Sequence, residues 1–244
     1  MTTIVGIKAY GGNKPAVVMA TDFQTTKEFY RSGTDAIYKI LEKGESQKLM
    51  IDDKRQLVFS MTGTVNTPPV NKFTRRLLGS LGDDKIKDIE RKLKRGYVPE
   101  FREMNMKNCI DGRSLNDKRQ CSALIGSRFD NDPNLYFIAP MGQATDNRKK
   151  DMPETFYISI GSGSEYALKL LDSELKDLKV IDPKNAIELA SWAVREATRN
   201  DIYSAGSDLV VITSEEIQQF GRQIKDASDE AVRQVLSDIV DKFQ

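Results

Sequence analysis

Two threonines, Thr2 and Thr3, open a β-strand pattern at the start of the chain, MTTIVGIKAY. The first residues of a domain are ordinarily frayed unless something ties them down, so a strand beginning there serves either packing or chemistry. The chemistry on offer is that of a terminal nucleophile. A threonine hydroxyl is weak by itself, but on a terminal threonine it stands beside an α-amino group whose unperturbed pKa of roughly 7.7 to 8.0 lies near working pH. One residue then supplies both nucleophile and base, provided that Met1 is removed to free Thr2.

The composition leaves room for that reading by closing others. The chain has no histidine, which removes Ser-His-Asp and Cys-His catalysis, His-ligated zinc and imidazole proton shuttling together. Its two cysteines, Cys109 and Cys121, are too few for a disulfide framework and read as small buried hydrophobes in a reducing compartment. Lys plus Arg number 37 against 36 Asp plus Glu, a net charge of +1, so no global field draws the chain to nucleic acid or to an anionic membrane. No apolar run approaches the roughly 20 residues that span a bilayer, and no basic-then-apolar leader is visible. A cytoplasmic protein without metal or cofactor is expected.

At 244 residues, 39% of them hydrophobic, the chain is long enough to bury a full core as one domain over 1–244. Strand patterns run through Thr3 to Lys8, AVVMAT, AIYKILE, KLMID and LVFSMTG, the first two joined by the turn YGGNKP. From Thr67 to about Lys94 the apolar spacing turns helical, opened by Pro68 and Pro69. Residues 96–118 are charged and aperiodic and are read as an insertion. CSALIGSRFD and NLYFIAP form a hairpin across NDP, and TFYISIGSG is a further strand. GSGS before a helix reads as a tight strand-to-helix turn; it lacks the lysine of a phosphate-binding loop. Helices then cover Ser164 to about Lys176 and a segment with Asp182 as N-cap and Pro183 at its first position. DLVVIT is a strand, and Val232, Val235, Leu236, Ile239 and Phe243 recur at helical spacing. Strands and helices come in groups, which argues for sheets packed face to face under helical layers.

Taken in order, TTIVGI, VVMATD, YKI, SMTG, IGSGSEYA and RNDIYSAGSDLVVIT resemble the proteasome β-type subunits of the N-terminal-nucleophile hydrolase superfamily. The likeness runs from the start to about Val65 and again from about Phe156 to Ile217. It implies an α+β fold, a four-layer αββα sandwich with two mainly antiparallel sheets between helical layers. Some features are closer to the bacterial peptidase rings of the same superfamily, namely Gln24 where β subunits usually carry Arg, and Met1 alone before Thr2.

The resemblance also implies roles. Thr2 would be the nucleophile and its amine the base. Lys39 would stand beside the hydroxyl and stabilise the developing alkoxide, held by Asp22 through a charge-assisted hydrogen bond. The Gly63 amide would face the oxyanion. Ser162, Asp201 and Ser204 would surround and orient the amine. Thr25 and Thr26 would lie on the strand to which an extended peptide adds, and Met61 on the floor of a pocket for hydrophobic side chains. The activity implied is threonine-type peptide hydrolysis on peptides or unfolded proteins, in a homo-oligomeric ring served by an ATP-dependent unfoldase. Two other expectations use the same features: a ligase that passes the acyl group to an amine, and a non-catalytic ring subunit.

Overall fold

β1 (Thr3–Ala9) lies one strand in from the edge of its sheet, and every residue in it is buried. It pairs antiparallel with β10 (Phe156–Gly161) on one side and β2 (Ala16–Thr21) on the other, and the sheet continues through β11 (Asp208–Thr213) to β12 (Ile217–Gln219). A strand covered on both faces needs apolar residues at successive positions, which is why TIVGIKA and AVVMAT read as continuous runs. A second five-stranded antiparallel sheet has the order β5 (Met50–Asp52), β6 (Leu57–Thr62), β7 (Ser122–Ser127), β8 (Asn134–Ile138), β9 (Ala144–Asp146). Between β2 and β5 the chain makes a separate two-stranded ribbon, β3 (Gln24–Ser32) and β4 (Ile37–Glu45).

In this computed structural model the described residues are 2–10, 15–32, 37–45, 48–63, 65, 67–78, 83–111, 120–146, 156–178, 180–201, 206–220 and 229–241. Six α-helices are described: α1 (Pro68–Leu78), α2 (Asp83–Lys94), α3 (Pro99–Asp111), α4 (Ser164–Leu175), α5 (Pro183–Asn200) and α6 (Asp229–Asp241). The Asp182 carboxylate caps α5 by accepting from the Asn185 amide at 2.9 Å, with Pro183 in the first turn.

Three apolar layers hold the elements together. Ala167, Leu171, Ile187, Val194, Val232 and Leu236 of α4, α5 and α6 pack on Val5, Ile7, Val18 and Val211 of the first sheet. Ile4, Val17, Met19, Val58, Leu124, Leu135 and Ile212 fill the space between the sheets. Val70, Phe73, Leu93, Phe101 and Met104 of α1, α2 and α3 cover Phe59, Ile125 and Tyr136 of the second sheet. The result is a four-layer αββα sandwich with α+β connectivity, the architecture that the resemblance implies. Among the described residues, no helix is long and apolar enough to cross a membrane.

The segment 96–118 holds a helix that the apolar spacing did not announce. α3 buries Phe101 and Met104 but also Asn105 and Asn108, so two polar residues occupy the face where periodicity is sought. Residues 112–119, the charged run after Asp146 and Phe243 lie outside the described residues.

Candidate active site

Thr2 is buried at the head of β1, where its carbonyl accepts from the Ser162 amide at 3.0 Å. That bond prolongs the β1–β10 ladder by one step beyond the Thr3–Gly161 pair and so fixes the start of the chain. Gly161 makes the approach feasible: its φ is +110°, and a β-carbon there would run into the Thr2 carbonyl. The Ser162–Gly163 turn then feeds directly into α4, the strand-to-helix turn read from GSGS.

Asp22, just past the end of β2, is fully buried. Its Oδ1 accepts from the Thr3 amide at 2.7 Å, while Oδ2 accepts from the Gln24 amide at 3.1 Å and from the Lys48 ammonium at 2.6 Å. Three donors satisfy this carboxylate, and one of them belongs to the residue after Thr2. Burial pushes Asp22 up from the ordinary carboxylate range, against the pull of Lys48 and the Thr3 N–H. Burial likewise pushes Lys48 down, opposed by Asp22 and by the charge of Asp201. A buried lysine with a weakened hold on its proton, paired to one carboxylate, is characteristic of sites that move protons or stabilise an oxyanion.

The lysine expected at this position was Lys39, and the structure corrects that. Lys39 lies in β4 opposite Tyr30, six residues along the β3–β4 ribbon from the Gln24–Glu45 pair. At strand spacing this is about 20 Å, beyond the reach of a lysine side chain. Lys48 comes instead from the short connection between β4 and β5. The signal for it was available in KLMID, where a lysine directly precedes buried Leu49.

Asp201, at the C-cap of α5, is buried and accepts from the Ser162 hydroxyl at 2.5 Å. The helix aims this carboxylate at the turn that holds the Thr2 carbonyl. Ser204 lies outside the described residues. Gly63 follows β6 with φ +100°, and a β-carbon there would lie 3.0 Å from Cys121 Cα and closer still to the Gln120 carbonyl. Thr25 and Thr26 lie on β3 opposite Gly44 and Lys43. Met61 is buried and packs with Val70 and Phe73 beneath α1. The structure thus brings two hydrogen-bonded groups together at Thr2 and Thr3, one of Thr2, Ser162 and Asp201 and one of Thr3, Asp22 and Lys48, a lysine that the sequence reading had not singled out.

Asp208 opens β11 opposite Thr21, on the row that leads to the site. One carboxylate oxygen accepts from the Gln219 side chain at 2.8 Å, the other is buried without a hydrogen-bond partner, and burial pushes the group up to about 6. A raised folded-state pKa favours folding below the ordinary value of 3.8, and that contribution is lost as pH rises through about 6. Asp208→Asn should therefore gain stability relative to the parent between pH 4 and pH 6, by up to about 3 kcal/mol, and hold that difference above it. Urea titrations at pH 4, 5, 6 and 7.5 check this; a pH-independent difference would mean that Asp208 does not titrate in this range.

A family model described as proteasome subunit matches residues 104–213. The chain is 26% identical over 205 residues to proteasome subunit beta 2 of Pyrococcus abyssi, covering 79% of this chain and 91% of that one. It is 39% identical over 93 residues to proteasome subunit beta 1 of Thermococcus gammatolerans, 38% of this chain and 41% of that relative. For proteasome subunit beta 1 of Nitrosopumilus maritimus the figures are 34% over 103 residues, 42% and 46%. Sandwich architecture, family model and archaeal relatives agree in likening the chain to the proteasome β-type subunits.

Proposed function

We propose that the chain is an N-terminal threonine peptidase that cleaves peptide bonds through an acyl-enzyme on Thr2. The observation that supports this most is the pair of hydrogen-bonded groups at the head of β1: the Thr2 carbonyl bound by Ser162, whose hydroxyl donates to Asp201, and the Thr3 amide bound by Asp22, which also holds Lys48.

Release of Thr2 from Met1 frees the α-amine. The amine takes the proton from Thr2 Oγ as the oxygen attacks the scissile carbonyl carbon, and the Gly63 amide donates to the tetrahedral oxyanion. Collapse breaks the C–N bond; the leaving amine takes the proton from the ammonium and an ester remains on Thr2. A water molecule, deprotonated by the same amine, then hydrolyses the ester and restores the hydroxyl. Lys48 stabilises the alkoxide, Asp22 holds Lys48, and Asp201 with Ser162 and Ser204 orients the amine. An extended substrate adds its backbone along Thr25 and Thr26, and Met61 helps select hydrophobic residues. The working form is a single domain over 1–244 in a cytoplasmic homo-oligomeric ring, since β subunits of this family assemble into rings.

The test is product analysis with N-capped fluorogenic peptides that end in a hydrophobic residue, in the presence and absence of a competing amine. Hydrolysis products alone support the peptidase. A ligated product that dominates at low amine concentration would make the chain a transpeptidase, and no turnover by a Met-free chain would leave it a structural subunit.

A further inference from the structure

Asn105 is a buried amide on α3, a helix otherwise remote from Thr2. Its Oδ1 accepts from the Cys121 amide at 2.7 Å, and its Nδ2 donates to the carbonyls of Cys121 and Pro140, each at 3.0 Å. One side chain thus grips both the N–H and the C=O of a single backbone residue, as a neighbouring strand would. The neighbouring Asn108 sends its amide toward Cys121 Sγ at 3.8 Å.

Cys121 matters because of what lies opposite it. The β6–β7 ladder ends at the Thr62–Ser122 pair, so the next step in that register sets Gly63 against Cys121. There the two backbones are packed so closely that Gly63 tolerates no β-carbon, with the Gln120 carbonyl and Cys121 Cα against it. Gly63 also stands in a left-handed conformation, φ +100°. The Gly63 backbone thus lies against the backbone of Gln120 and Cys121, and Asn105 bonds to Cys121.

We propose that Asn105 is a positioning residue for the oxyanion-stabilising amide, fixing the Gly63 peptide through the backbone of Cys121. This rests on the peptidase reading for its catalytic consequence but not for its structural one. An oxyanion donor works only when preorganised, and a displacement of about 1 Å lowers rate by on the order of 10²-fold. Asn105→Ala removes the side-chain bonds to the Cys121 N–H and to the Cys121 and Pro140 carbonyls and frees that backbone to shift. The step affected is oxyanion formation rather than binding.

The experiment compares Asn105→Ala with Phe101→Leu, a packing variant on the same helix whose side chain enters the core of the second sheet. Both lower the melting temperature. For Asn105→Ala, kcat should fall about 10²-fold with KM within about twofold, and the affinity of a peptide boronate, whose adduct carries the oxyanion, should fall by a similar factor. Phe101→Leu should leave kcat and boronate affinity near the parent values. In the same proteins, glycine-selective 15N spectra should show the Gly63 resonance displaced by Asn105→Ala while Gly126, five residues along β7 from Cys121, stays in place. Equal losses of kcat in both variants, or an unmoved Gly63 resonance, would overturn the proposal. If the parent turns nothing over, the peptidase reading fails alone, and the Gly63 resonance still decides whether Asn105 sets that peptide.

Discussion

Thr2→Ala should abolish peptide turnover, lowering kcat by on the order of 10⁵-fold or more, because the nucleophile is removed and no other residue of the network can form the acyl-enzyme. The fold should persist. The Thr2 group that the structure uses for pairing is its backbone carbonyl, bound by the Ser162 amide, and alanine keeps that carbonyl. Loss of one methyl-bearing hydroxyl at the chain end should change stability by no more than about 1 kcal/mol. Steady-state cleavage together with thermal unfolding checks both halves. A folded Thr2→Ala protein that still cleaves peptides would remove Thr2 from the chemistry, and an unfolded one would make the head of β1 a packing element.

Lys48→Ala should be the most damaging change that leaves the nucleophile in place. It removes the cation beside the site, for which the loss of a single electrostatic partner lowers kcat by about 10² to 10³-fold. It also strands Asp22, a fully buried carboxylate whose ammonium partner sits at 2.6 Å, and breaking a buried pair from one side destabilises by about 3 to 5 kcal/mol. The two effects separate by pH. Without Lys48, burial acts on Asp22 with less opposition, so its folded-state pKa climbs further and the protonated carboxyl becomes the stable form. The stability deficit should therefore shrink as pH falls from 7 toward 4, whereas the kcat deficit should remain. Lys39→Ala is the control and should keep near-parental rate and stability. If Lys39→Ala silences the enzyme and Lys48→Ala does not, the assignment of the lysine is reversed.

Those two lysines show where sequence reading succeeds and where it stops. The head of β1 and the Asp182 cap were legible because each depends on local pattern, whereas Ser162 and Asp201, 39 residues apart, were named only through the family resemblance. Lys39 follows from the resemblance carried by YKI, not from any local pattern that fixes its distance from Asp22. The β3–β4 ribbon, of nine residues in each strand, separates Asp22 from the lysine that reaches it. A ribbon's length is not encoded in the pattern of the residues that flank it. β3 itself, QTTKEFYRS, was expected as a strand only through the resemblance, because its polar and charged residues hide the alternation. α3 escaped notice for the opposite reason, since its buried face carries Asn105 and Asn108, which bond to the Cys121 backbone and sulfur rather than filling apolar space.

The measurement that bears most directly on the central claim is covalent labelling of the folded, Met-free chain with a peptide epoxyketone, followed by intact mass and fragment analysis. This probe must bond to a hydroxyl and to the free amine of the same residue, so it reports the paired nucleophile and base rather than either alone. The account predicts one inhibitor mass per chain, located on Thr2, linking its Oγ to its nitrogen, and absent from Thr2→Ala and from any chain that keeps Met1. A Met-free chain that stays unlabelled, or peptide turnover by a chain that retains Met1, would contradict it.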